Sequence, residues 1–207
     1  MQKIKVIGVG PGIRSMITFE ALEAIKGARV VIGGKRHLEE FALPGQEKYI
    51  LANNLEEIAA IIRGRREEGV AVLATGDPGL YGVLSFLKKF WDPGEIEVFP
   101  GVSSVQLAFA RLCLPWHDAM ILSAHGRPSG GLAELAAQSS KTALLTGSDN
   151  PPEKLFKLLE NTGPERKFYF CFDLSMPSEY ILELKSGEIY PEELKGRHNC
   201  VMVVLND

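Results

Sequence analysis

Apolar residues alternate along the first half of the chain between short continuous runs and helical spacing. Ile4 to Val9 is a nearly unbroken apolar run leading into Gly10, the pattern of a parallel strand covered on both faces. In "TFEALEAIKGA", Thr18, Ala21, Leu22 and Ile25 fall at helical spacing, and Gly27 stands where that helix should stop. Arg29 to Ile32 predicts a second strand, closed by Gly33 and Gly34. "NNLEEIAAIIRGRREEG" predicts an amphipathic helix capped by Asn54, with Leu55, Ile58, Ile61 and Ile62 on one face. Val70 to Thr75 reads as a strand and Tyr81 to Phe90 as a helix. "GEIEVFPG" then gives a strand and turn, and Ser103 to Leu112 a helix that "LPW" ends.

The second half continues in the same manner. "AMILSAHG" and "TALLTG" predict strands separated by a helix in "LAELAAQSS". "PPEKLFKLLENTG" carries proline at a helix start and glycine just past its end, the expected asymmetry. "KFYFCFDLS" and "CVMVVLND" predict further strands. Repeats and low-complexity segments are absent. The pattern predicts an α/β protein of two small α/β domains, 1–114 and 115–207, with a ligand cleft between them.

Composition narrows the class. The 207 residues are 45% hydrophobic and 24% charged, ordinary for a globular enzyme, and the net charge of −3 provides no basic field for nucleic acid. Cys113, Cys171 and Cys200 are far apart, with no CxxC and no nearby His pair, and read as reduced, mostly buried residues of a cytoplasmic protein. No protein-bound metal is therefore expected. The longest apolar run, Cys200 to Leu205, is too short to span a bilayer. The N-terminus leads directly into a strand-like segment, so no signal peptide is expected.

The chemistry lies in five glycine-containing loops that follow five strands. "GVGPG" departs from the dinucleotide fingerprint. Gly8 and Gly10 match, but Ile13 takes the third glycine place, Pro11 stiffens the turn, and Gly33-Gly34 stand where an acid would hold a ribose. "TGDPGLYG" contains no Gly-Lys-Ser/Thr, so it is not a triphosphate loop. Asp77 there can accept hydrogen bonds from ligand hydroxyl or amino groups, and Asp77-Pro78-Gly79 reads equally as a generic turn. In "FPGVSSVQ", Ser103 or Ser104 begins a helix, either as a cap or as a hold for a polar ligand edge. "LSAHGRP" offers His125 and Arg127 around Gly126 for an anion, and "LLTGSDNPP" places Gly147 directly after a strand. Together the loops point to a ligand held by backbone groups from several strand ends.

In this order, "GVGPG", "ATGDPGLYG" and "FPGVSSVQLAFARLCLPW" resemble the tetrapyrrole methylases, S-adenosylmethionine-dependent enzymes of cobalamin and siroheme synthesis, from Lys5 to about Leu205. "IGGKRHLEEF", "LATGDPGLYGVLSFL" and "LSAHGRP" are closer to the branch that methylates C5 of cobalt-precorrin-7 or its metal-free equivalent. The resemblance implies S-adenosylmethionine contacts at Pro11, Thr75, Gly76, Asp77, Leu80, Ser103, Ser104, Thr146 and Gly147. Where relatives read Glu-Asn-Leu-Gly, the chain has Phe172-Asp173-Leu174-Ser175, which adds Asp173. Substrate contacts fall on Gly10, Gly12, Arg36, Tyr81, His125 and Arg127. Arg14, Lys35 and Arg111 are further cations beside the loops for a substrate rich in carboxylates, or else solvated surface charges.

The resemblance also implies a homodimer, and a separate C15-methyltransferase and decarboxylase chain as a partner. No nucleic-acid or membrane partner is implied. A sulfonium methyl donor with an enamine-like ring carbon requires alignment above all, so no catalytic residue is assigned. The alternatives are a methylase of uroporphyrinogen or of another precorrin position, a methylase of a diphthamide precursor or ribosomal RNA, and a non-catalytic partner of a C15-methyltransferase.

Overall fold

The structure, a computed structural model, describes residues 2–126, 129–161 and 165–206. It divides into two compact units, Met1–Ser103 and Ser104–Asp207.

The first unit runs β1 (Ile4–Gly8), α1 (Phe19–Lys26), β2 (Val30–Gly33), α2 (Lys35–Phe41), β3 (Glu47–Ile50), α3 (Leu55–Arg65), β4 (Val70–Ala74), α4 (Leu84–Leu87) and β5 (Ile96–Phe99). Its sheet has the order β3-β2-β4-β1-β5, and every pairing is parallel. Because side chains alternate along a strand, two apolar layers form. Ile7, Val31, Leu73 and Phe99 join Ala21 and Ile25 of α1 and Leu38 and Phe41 of α2. Val6, Ile32, Val72 and Ile96 join Ile58, Ala59 and Ile62 of α3 and Leu87 of α4. Helices therefore cover both faces, and a fully buried isoleucine such as Ile58 or Ile62 contributes roughly 1.5–3 kcal/mol.

The strand order fixes where a ligand belongs. The chain leaves β1 across β4 toward β2, and leaves β4 across β1 toward β5. Loops from these two neighbours diverge to opposite sides. In open α/β sheets, ligands bind in the crevice that this reversal creates at the carboxyl ends of the strands.

Local chemistry explains the helix ends. Thr18 Oγ1 accepts from the Ala21 N–H at 3.1 Å and caps α1. Asn54 stands at the N-cap of α3, yet its side chain does not cap it. Its Oδ1 instead accepts from the Ala52 N–H at 2.9 Å, an interaction with the preceding turn that competes with capping. Leu55 lies 39% exposed, so the buried stripe of α3 is Ile58, Ala59 and Ile62. The helix predicted over Tyr81–Phe90 shrinks to Leu84–Leu87. Tyr81 takes φ 53°, outside the helical region, and Gly82 sits so close to the Pro78 carbonyl that a Cβ would approach it to 2.6 Å.

The second unit runs α5 (Ser104–Arg111), β6 (Met120–Ser123), α6 (Leu132–Ala137), β7 (Lys141–Leu145), α7 (Pro152–Glu160), β8 (Arg166–Phe172), β9 (Tyr180–Lys185) and β10 (Cys200–Asn206). Its sheet order is β6-β7-β10-β8-β9, parallel between β6 and β7 and antiparallel elsewhere. Phe156 of α7 meets Phe168 edge to face at 4.9 Å between ring centroids, and Phe170 and Met202 complete this core. α5 packs against β10. The division between the compact units therefore precedes α5, whereas the sequence pattern placed a boundary after Leu114. Pro152 begins α7 as expected, while Gly163, its anticipated stop, lies outside the described residues. Cys171 and Cys200 are buried and Cys113 is exposed. Among the described residues no helix is long and apolar enough to cross a membrane.

Candidate functional site

Three glycine loops interlock at the carboxyl ends of β1, β4 and β5. The Gly76 N–H donates to the Gly10 carbonyl at 2.8 Å, and the Val9 N–H to the Ala74 carbonyl at 3.0 Å. Contact between the loops is backbone to backbone. A Cβ on Gly8 would lie 2.6 Å from both the Gly101 nitrogen and the Gly76 oxygen, and one on Gly101 would lie 2.3 Å from the Gly76 oxygen. Gly10 takes φ 79° and is packed against Met16.

Asp77 ties this arrangement together. One carboxylate oxygen accepts from the Gly79 N–H at 2.8 Å within its own turn. The other accepts from the Gly101 N–H at 3.2 Å in the loop after β5. The residue stays half-buried, and each oxygen keeps a further lone pair. The two readings of this aspartate in the sequence, turn residue and ligand acceptor, are therefore compatible.

Around this clasp, Pro11 is buried, Gly12 and Leu80 are half-buried, and Thr75, Tyr81 and Arg36 are exposed. Thr75 Oγ1 lies 3.2 Å from Nε2 of His37, which is buried on α2. Burial, and then the neighbouring Arg36 charge, push the His37 imidazole below its ordinary range, so the ring is neutral near pH 7. Of the candidate cations, Arg14 donates to the Glu40 carbonyl at 2.9 Å. Lys35 faces Glu39 at 3.9 Å with both side chains largely in water. Ser103 is buried at the end of the first unit, and α5 starts at Ser104.

In the second unit the loops after β6 and β7 meet. Gly147 is seated on His125, and a Cβ there would lie 2.8 Å from the ring nitrogen Nδ1. The His125 side chain is exposed, and Gly126 takes φ 60° with open space around it. Buried Asn150 fixes the pair of loops by donating to the Ala124 carbonyl at 3.0 Å. Thr146 is buried, and its hydroxyl faces the carbonyls of Cys200 at 2.8 Å and His198 at 3.0 Å. Arg127 lies outside the described residues.

Asp173 follows β8 with φ 48°. Its carboxylate takes Asn199 Nδ2 at 3.0 Å, Ser178 Oγ at 3.1 Å and the guanidinium of Arg197. Burial alone would raise this carboxyl, but the bonds from Arg197, Asn199 and Ser178 hold it below the usual range. Arg111 is paired with Glu179 at 2.6 Å.

The loops after β1, β4 and β5 thus present backbone donors and acceptors, a hydroxyl and a carboxylate, and contain no lysine or arginine from Gly8 to Ile13, Thr75 to Gly82 or Pro100 to Ser103. Such a donor set suits an adenosyl sulfonium, which bears no phosphate, better than a nucleotide. Among the described residues no group of three or more His, Cys, Asp or Glu side chains could hold a metal. In the sequence His37 lies within "IGGKRHLEEF", where no local pattern assigns it a role. Its one signal is its place three residues after the strand-ending Gly33-Gly34.

Comparison with known proteins identifies the architecture. The profile of the Tetrapyrrole (Corrin/Porphyrin) Methylases matches residues 3–190. The cobalt-precorrin-7 C(5)-methyltransferase of Salmonella typhimurium is 33% identical over 179 residues, covering 86% of this chain and 88% of the relative. The precorrin-6Y C(5,15)-methyltransferase of a Sinorhizobium species is 35% identical over 161 residues, 77% of this chain and 39% of that protein. The crystal structure of the precorrin-6Y methylase of Archaeoglobus fulgidus superposes with a TM-score of 0.76 at 28% identity, covering 99% of this chain and 98% of that one. The interlocked glycine loops therefore sit in an enzyme, and the chain belongs to the tetrapyrrole methylases.

Proposed function

We propose that the protein is an S-adenosylmethionine-dependent C-methyltransferase of cobalamin biosynthesis that methylates C5 of cobalt-precorrin-7 or its metal-free equivalent. The observation that carries this reading is the likeness, along 86% of the chain and 88% of the relative, to the Salmonella enzyme of that name. The donor set of the glycine loops agrees with it, since the methyl donor bears a sulfonium and no phosphate. The proposal concerns C5 alone.

S-adenosylmethionine, when bound, supplies an electrophilic methyl group. The chain's own contribution is orientation. The clasp of Gly8, Gly76 and Gly101 is held by backbone contacts and by Asp77, so the loops that would hold the donor are rigid before it arrives. Such preorganisation lowers the barrier of a direct displacement by several kcal/mol. In this reading Pro11, Thr75, Gly76, Asp77, Leu80 and Ser103 supply the first unit's contacts to the donor, and Ser104, Thr146, Gly147 and Asp173 those of the second. Gly10, Gly12, Arg36, Tyr81, His125 and Arg127 meet the corrinoid. The reading extends to a homodimer in the cytoplasm, for which the family likeness is the support.

Incubation with cobalt-precorrin-7 and methyl-labelled S-adenosylmethionine tests the proposal. One labelled methyl group per corrinoid, located at C5, is expected. Labelling of uroporphyrinogen instead, or of neither compound, overturns it.

A further inference from the structure

We propose that His37 is a positioning residue that fixes the direction of the Thr75 hydroxyl and so decides which hydrogen bond that hydroxyl offers the methyl donor. The inference rests on the reading of the first unit's loops as a methyl-donor site.

The geometry joins a buried group to an accessible one. β2 and β4 are neighbours in the sheet, with Ile32 opposite Val72. The chain passes from β2 through Gly34 into α2, which carries His37, 8% exposed. The loop after β4 carries Thr75, which is exposed. Nε2 of the ring and Oγ1 of Thr75 lie 3.2 Å apart. Nδ1 is buried and has no hydrogen-bond partner among the described residues; it lies 3.7 Å from where a Cβ on Gly34 would stand.

A neutral imidazole has one N–H and one bare nitrogen. If Nδ1 carried the proton, a buried N–H would stand without an acceptor, and orphaned buried N–H groups are rarer than under-satisfied acceptors. The proton therefore sits on Nε2 and is donated to Thr75 Oγ1. The hydroxyl, having accepted from the ring, turns its own O–H outward. Thr75 thus presents a donor, and its complement is an acceptor on the ligand: a ribose or ring atom of an adenosyl group, or a carboxylate.

Titration calorimetry with S-adenosylhomocysteine, thermal melting and steady-state kinetics test this on the full chain. His37→Leu and Thr75→Val should each weaken binding about five- to tenfold, the worth of one neutral hydrogen bond. The double variant should be no weaker than Thr75→Val alone, because His37 acts through Thr75. KM for S-adenosylmethionine should rise in His37→Leu while kcat stays within about twofold. Gln places its amide nitrogen where Nε2 was, and Asn where Nδ1 was. His37→Gln should therefore bind within about threefold of wild type, a loss smaller than one hydrogen bond, and His37→Asn should not.

Wild-type binding by His37→Leu, losses that multiply in the double variant, or equal binding by the Gln and Asn variants would each overturn the proposal. Nitrogen-15 NMR of the wild-type imidazole gives a reading that needs no variant to fold. A proton on Nε2 is expected, and one on Nδ1 overturns the assignment. If folded wild-type protein binds no S-adenosylhomocysteine, the methyl-donor reading falls. The NMR signal and its change in Thr75→Val then still report on the His37–Thr75 bond itself.

Discussion

At the scale of single residues, replacing glycine by alanine has opposite expected outcomes in the glycine clasp and in α3. Gly101→Ala drives a methyl group to 2.3 Å from the Gly76 carbonyl, and both partners are backbone, so neither can rotate away. A loss of about 1–3 kcal/mol or more is expected in urea unfolding, the cost of overpacking a rigid contact. Gly64 lies inside α3 with nothing within 4 Å of its added Cβ, so Gly64→Ala should gain about 0.5–1 kcal/mol, the difference in helix preference. Equal effects at the two sites would show that the loops do not touch as described. Asp77 separates a second pair of outcomes. Asp77→Ala removes the acceptor of the half-buried Gly101 N–H and should lower stability by about 0.5–1.5 kcal/mol, the net worth of a typical hydrogen bond, and should weaken S-adenosylhomocysteine binding in calorimetry. Asp77→Asn keeps one acceptor oxygen and should retain more of both.

At the scale of elements, the segment between β8 and β9 contributes acid sensitivity to its unit. Asp173 gathers Arg197 and Asn199, which precede β10, and Ser178 from the turn, while the Arg197 guanidinium lies 4.7 Å from the Phe172 ring centre. The Asp173 carboxyl is held below its unfolded value. Its stabilisation is therefore present above the unfolded pKa of about 3.9 and is lost as pH falls through the lower folded value. Unfolding free energy should fall more steeply below about pH 4 in the wild type than in Asp173→Asn, measured by denaturant titration across that window. Parallel curves would show that the network contributes nothing. Elements built from long periodic patterns were legible in the sequence: β1, β4, β8 and β10 are apolar runs, and α1 announces itself through Thr18 and Gly27. Elements of half-polar residues were not. β3 ("EKYI") alternates half-buried with exposed residues, β9 ("YILELK") mixes three exposed residues with buried or half-buried ones, and α2 spans only seven residues. The five loops were visible as glycines after strands. Their bonding partners were not, because Thr146 reaches His198 and Cys200, and Asp77 reaches Gly101, across separations that no local pattern encodes.

At the scale of the whole molecule, what distinguishes this protein from other users of strand-end glycine loops is the charge it does not place there. With a net charge of −3 and no lysine or arginine from Gly8 to Ile13, Thr75 to Gly82 or Pro100 to Ser103, a triphosphate there would meet carbonyls and a carboxylate, while an adenosyl sulfonium would meet acceptors suited to its positive centre. Ligand linkage converts this into a measurement. A ligand that binds only the folded chain raises unfolding free energy by about 2.7 kcal/mol at one hundred times its Kd. S-adenosylmethionine and S-adenosylhomocysteine should both raise the melting temperature of the purified protein. ATP carries the same adenosine on a triphosphate and should leave it unchanged at the same concentration. S-adenosylmethionine should act at the lower concentration of the two sulfur ligands if Asp77 and the loop carbonyls favour its sulfonium, and that preference should shrink as salt is added. Stabilisation by ATP equal to that by the sulfur ligands would mean that the adenosine alone is recognised, and that the missing lysine selects nothing.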